Sequence, residues 1–153
     1  MEWLYAGPGG SVASIPPEDR FLPLVRMYQF ADKYGFTTLQ NDIITEFFIL
    51  NREGHFPPLA AVRHVFERMS PKSTLAILMV AWHVFYLDTE HLPSMEDMED
   101  MPCFTARLAR AYMEKLKNQF DDPFEKQQEE FFVAPRPIDT SEYSRGAQRC
   151  EGD

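Results

Sequence analysis

Between Phe21 and Tyr34 polar residues recur at Arg26, Gln29, Asp32 and Lys33, while Leu24, Val25, Met27, Tyr28, Phe30, Ala31 and Tyr34 fill the rest of the helical circumference. That spacing predicts a mostly buried helix, and Gly35 suits the left-handed residue that ends one, because it carries no Cβ to clash there. Phe36, Leu39, Ile43, Phe47 and Leu50 then share one face, opposite Thr38, Asn41, Asp42, Thr45 and Glu46, which predicts a second, amphipathic helix. Asn51 to Pro58 reads as a loop whose prolines preset the first turn of a third helix, with Leu59, Val62, Val65, Phe66 and Met69 as its apolar stripe. Ser70 and Pro71 repeat that start signal as cap and first helical residue. The fourth helix grows from them: Leu75 to Leu87 is apolar at every position except His83.

Residues 88–102 (DTEHLPSMEDMEDMP) read as an acidic, proline-bounded linker. A fifth helix follows over 103–120, turning Phe104, Leu108, Ala111, Tyr112, Leu116 and Phe120 inward and Arg107, Arg110, Glu114, Lys117 and Asn118 to water. At the start, an aromatic stub (MEWLYAG) runs into glycine and proline turns that continue neither a helix nor a central strand. Residues 121–153 carry too much charge, proline and polarity to offset ordering entropy, so a largely disordered tail is expected, with at most a short helix over Phe124 to Phe132 docking through Phe131 and Phe132. No fixed-period repeat and no sustained alternation points to strands. The predicted fold class is therefore all-α: an irregular bundle of about five helices, with the main helical region over 1–87.

The chain has 153 residues, with 15 Lys and Arg against 24 Asp and Glu, a net charge of −9. At this length a single domain buries roughly 70% of its unfolded surface, enough for a core without metal or disulfides. The acidic balance repels phosphate backbones and anionic membranes, and no basic stripe exists to offset it, so neither nucleic acid nor membrane is expected as a partner. The apolar run Leu75 to Leu87 is shorter than the ~20 residues that cross a bilayer. Cys103 and Cys150 do not make a secreted disulfide scaffold, and no signal-peptide pattern follows Met1. An intracellular location, cytoplasmic or nuclear, is expected.

Candidate chemistry is sparse. The four histidines, at 55, 64, 83 and 91, never stand four residues apart, and neither cysteine has a close partner, so no metal or cofactor is expected. His83 reads as a hydrogen-bonded core residue rather than a buried switch. Gly7 to Gly10 (GPGG) lacks the Lys-Ser/Thr of a phosphate cradle and reads as a turn. Hydrolase and kinase signatures are absent. Glu96, Asp97, Glu99 and Asp100 read as a solvated linker, with nothing holding two of them in opposition; the alternative is a short docking motif interleaved with Met95, Met98 and Met101.

WLYAG (Trp3 to Gly7), a Gly/Pro loop and LVRMYQFADKYGFTTLQNDII (Leu24 to Ile44) together resemble the later part of BTB/POZ domains, particularly those of filamentous fungi. Leu24, Tyr28, Phe30, Ala31, Asp32, Lys33, Tyr34, Leu39 and Asn41 carry the match, and SPKSTLAILMVAWHVF (Ser70 to Phe85) resembles the apolar helix that follows in those proteins. The resemblance covers about residues 2–87 and implies the C-terminal half of such a domain plus further helices, in a chain that starts inside the fold. It also implies function by contact: a non-catalytic protein-interaction module that self-associates or binds a protein partner, in some members linking substrates to a cullin-type ubiquitin ligase. Without the upstream half, an apolar patch is expected around Trp3, Leu4 and the helix from Phe21 to Tyr34. Trp3, Tyr5, Leu24, Tyr28, Phe30 and Tyr34 are the candidate partner-binding residues, since large aromatics bury much area at low entropic cost; each also suits ordinary core packing. The rival from another class is a small helical enzyme or ligand-binding protein using a pocket near His64 or His83.

Overall fold

The computed structural model describes residues 15–86, 93–117, 124 and 128–135. Trp3, Tyr5, Phe120 and residues 136–153 lie outside them. Among the described residues the chain is all helical: α1 (Pro17–Tyr34), α2 (Thr37–Arg52), α3 (Leu59–Arg68), α4 (Thr74–Tyr86), α5 (Met95–Asp100) and α6 (Pro102–Leu116), followed by a 3-10 turn at Gln128–Phe131. None of these helices is long and apolar enough to cross a membrane.

The bundle is organised around α4. Every residue from Leu75 to Val84 except Ile77 is buried, so this helix has no solvated face over its middle turns. It packs on α3 and α6, while α1 packs on α2 and α3. Phe21 of α1, Phe47 of α2 and Trp82 of α4, all fully buried, meet ring to ring with centroids 5.6–6.3 Å apart and pin three helices at one point. Complete burial of an aliphatic or Phe side chain contributes on the order of 1.5–3 kcal/mol. His83 takes its place in this core as a hydrogen-bonded residue, its Nδ1 2.8 Å from the Met79 carbonyl oxygen and its ring edge-on to Phe56 and Phe104.

The structure departs from the periodicity in four places. First, α1 begins at Pro17, ahead of Phe21, because a proline in the first turn gives up only an N–H that would lack a helical partner anyway. Glu18 and Asp19 favour the same end through the helix dipole. The helix also runs through Pro23, which removes one rung of the ladder; packing of the buried Phe21, Leu24 and Val25 holds it there. Second, Ser73 rather than Ser70 starts α4. Its Oγ accepts from the Ala76 N–H at 3.2 Å, whereas the Ser70 Oγ accepts from Lys72 N–H in the preceding turn.

Third, part of the acidic linker folds. The Ser94 Oγ accepts from the Asp97 N–H at 3.1 Å and starts α5, a sixth α-helix beyond the five expected. Asp97 and Asp100 then face Arg63 of α3 at 3.4 and 3.3 Å, so two carboxylates of this run have a fixed counter-charge. Fourth, Phe124 and residues 128–135 dock on the bundle through Phe131, which is buried, but not through Phe132, which remains 39% exposed. The anchor beside Phe131 is Phe124, whose ring lies 4.7 Å from Phe48 and 4.9 Å from Trp82.

Candidate functional site

Among the described residues, the largest concentration of exposed aromatic side chain stands at the corner between α1 and α2. Gly35 builds that corner. With φ at 72°, its own N–H donates to the Asp32 carbonyl oxygen at 3.4 Å and the Phe36 N–H donates to that of Ala31 at 2.8 Å, the paired bonds of a left-handed helix terminus. A Cβ at Gly35 would meet nothing within 4 Å, so backbone conformation, not space, selects glycine. The chain reverses within two residues and returns Phe36 across the last turn of α1.

Phe30 and Tyr34, one turn apart, lie away from the core stripe of Phe21, Leu24, Val25, Tyr28 and Ala31. Their ring centroids are 4.7 Å apart, and the Phe36 ring stands 5.9 Å from Phe30 and 6.3 Å from Tyr34. The three side chains are 51%, 56% and 51% exposed, in that order. Lys33 Nζ lies 5.4 Å from the Tyr34 ring centroid, a cation on the face of the same cluster. A shallow cleft of about 370 Å³, lined by Gly35, Phe36, Thr37, Thr38 and Leu39, runs alongside.

Beneath the corner a buried polar group ties the two helices together. The Gln40 Nε2 of α2 donates to the Asp32 Oδ1 of α1 at 3.2 Å, and its buried Oε1 has no hydrogen-bond partner among the described residues. Tyr28 sits in the same layer. Burial pushes its hydroxyl up to about 12, with the Asp32 charge adding and hydrogen bonds from Thr74 and Gln40 opposing. The aromatic surface therefore rests on a base cross-linked by polar contacts.

The six candidate partner residues separate. Phe30 and Tyr34 stand together in the exposed cluster. Leu24 and Tyr28 are corrected to core residues, 0% and 1% exposed, because the helices packed on α1 seal that face of it. Trp3 and Tyr5 lie outside the described residues. Phe36 belongs to the cluster, although its spacing to Leu39 and Ile43 predicts the core face of α2. The local signal is its position immediately after Gly35, where it caps α2 and does not follow the helical phase.

Elsewhere, the His64 Nε2 donates to the Gln29 Oε1 at 2.9 Å. Burial holds its imidazole below the usual histidine range, with Arg26 and Arg68 adding to the shift and Glu67 opposing it. It lines an open cleft with Arg26, Arg63 and Asp97. Among the described residues no group of three or more His, Cys, Asp or Glu is placed to hold a metal ion. Compared with family models, curated proteins and solved structures, the chain matches none.

Proposed function

We propose that this chain is a non-catalytic protein-interaction module that works by burying the α1–α2 corner against another polypeptide, in the first instance a second copy of itself. One observation carries the reading: the rings of Phe30, Tyr34 and Phe36 contact one another while each remains more than half exposed. A contiguous exposed aromatic patch marks a contact surface, and large aromatics with a desolvated centre dominate the binding energy of such surfaces. The resemblance of the segment around Phe30 and Tyr34 to BTB/POZ domains, which act through contact, supports the same reading. The Gln40–Asp32 hydrogen bond that joins α1 to α2 also favours binding, because a rigid surface loses little conformational freedom on association.

Light scattering over a wide range of concentration tests it. The mass should rise above that of one 17.8 kDa chain, and Tyr34→Asp with Phe36→Asp should return it to a single chain without loss of helical signal. A wild-type chain that stays single throughout, and that gives no crosslink from a photoreactive side chain at position 34 in extracts of its source cells, would remove the proposal.

A further inference from the structure

Beyond α6, Phe124 and residues 128–135 lie across α2 and α4 as a bound peptide would. The Val133 N–H donates to the Asn41 Oδ1 at 2.7 Å, and the Val133 carbonyl oxygen accepts from the Asn41 Nδ2 at 3.2 Å. One carboxamide thus closes both main-chain groups of one residue, which is the pairing that a neighbouring strand supplies to an extended chain. Such a clamp reads backbone and is indifferent to the side chain it holds. One turn along α2, the Thr45 Oγ1 accepts from the Gln128 Nε2 at 2.9 Å while donating to the Asn41 carbonyl oxygen, so the two polar contacts are coupled.

Specificity comes from the floor. Phe131 packs on Phe48 at 5.9 Å, and Phe124 sits 4.7 Å from Phe48, 4.9 Å from Trp82 and 5.6 Å from Tyr86. Phe132, Ala134 and Pro135 face outward, leaving two aromatic anchors and one clamped residue as the recognised pattern. All the α2 and α4 residues that make this groove are distant in sequence from the segment that fills it. A segment docked on the bundle from outside its six helices opens locally at less cost than global unfolding.

We infer that the α2–α4 groove is a peptide-binding site that Phe124 and residues 128–135 fill in cis, and that it takes in trans a peptide with two phenylalanines seven positions apart, brought together over Phe48 with a 3-10 turn at the second, and a residue clamped through its backbone two positions after it. The tail is then an autoinhibitory occupant. Its tether gives it an effective concentration in the roughly millimolar range, so a competing peptide binds the intact chain weakly and an open-tail chain well. The inference does not rest on the aromatic corner, because Asn41, Thr45 and Phe48 lie on a different face of α2 from Phe36.

The test uses a fluorescent peptide of residues 122–136 (DPFEKQQEEFFVAPR) and the full-length chain carrying Phe131→Ala and Val133→Pro, which removes one anchor and the clamped N–H from the tail while leaving the groove intact. Saturable anisotropy is expected with this chain, and binding about tenfold weaker or worse once Asn41→Ala is added. Absence of saturable binding by the helical open-tail chain, equal affinity with Asn41→Ala, or equal binding of a scrambled peptide would each overturn the inference. Should the open-tail chain lose its helical signal, the wild-type chain decides. Peptide in excess of the tether's effective concentration should accelerate hydrogen exchange at the Val133 amide, and unchanged exchange there overturns the inference equally. The chain with Tyr34→Asp and Phe36→Asp should bind peptide as the wild type does, so failure of the groove and failure of the corner are distinguishable.

Discussion

Two aromatic triads stand in this molecule with similar ring separations. Phe21, Phe47 and Trp82 have centroids 5.6–6.3 Å apart, and Phe30, Tyr34 and Phe36 have theirs 4.7–6.3 Å apart. The first triad is 0% exposed at every member and the second more than half exposed at every member. Both draw on α1 and on the start or middle of α2. What differs is α4: it carries Trp82 into the first triad, and nothing among the described residues crosses the second. Ring contact by itself therefore does not separate a stabilising cluster from a binding one. The covering element does, because only rings removed from water on folding contribute their transfer free energy to the fold.

The comparison breaks most readily through stability. Trp82→Ala should cost about 3–5 kcal/mol in denaturant unfolding, since it leaves a cavity where three helices meet, whereas Phe30→Ser or Tyr34→Ser should move stability by no more than about 0.5 kcal/mol. Equal losses in the two triads would show that the exposed rings are covered in solution. A smaller effect sharpens the contrast. Gly35→Ala forces a Cβ into φ 72°, and should cost about 1 kcal/mol while disturbing the register of Phe36 against Tyr34. The near-ultraviolet circular dichroism of the tyrosine should change while that of Trp82 stays as it was.

The smallest effect lies outside both triads. Because His64 is held below its ordinary value of 6.5, the unfolded chain takes up its proton first as pH falls. The stability associated with neutral His64 is therefore full above 6.5, declines as pH drops through that value, and levels off below the lowered folded-state value. Urea midpoints of the wild type and His64→Gln should converge in that interval, and parallel midpoints across it would contradict the assignment.

Much of the fold was legible in the pattern. α4 read as an interior helix because a run apolar on every side has no face to give to water, and Gly35 read as a terminus because few other residues tolerate its backbone angle. α5 was not legible: six acidic and methionine residues make no stripe, and the helix depends on the Ser94 cap and on Arg63 from a distant helix. The candidate site was half legible. Phe30 and Tyr34 stood out as large aromatics, but Tyr28 has the same local character and went inside, as did Leu24.

The amino-acid order alone determined helical character, the break at Gly35 and the depth of α4, because these follow from φ/ψ preferences and from periodicity within a few turns. The tertiary structure decided which flank of α1 stays wet and where the tail lies. α1 is apolar around most of its circumference, so the choice between flanks falls to whatever packs on it. Trp82 and Val133 meet partners tens of residues away, and contacts at that separation leave no trace in a local repeat.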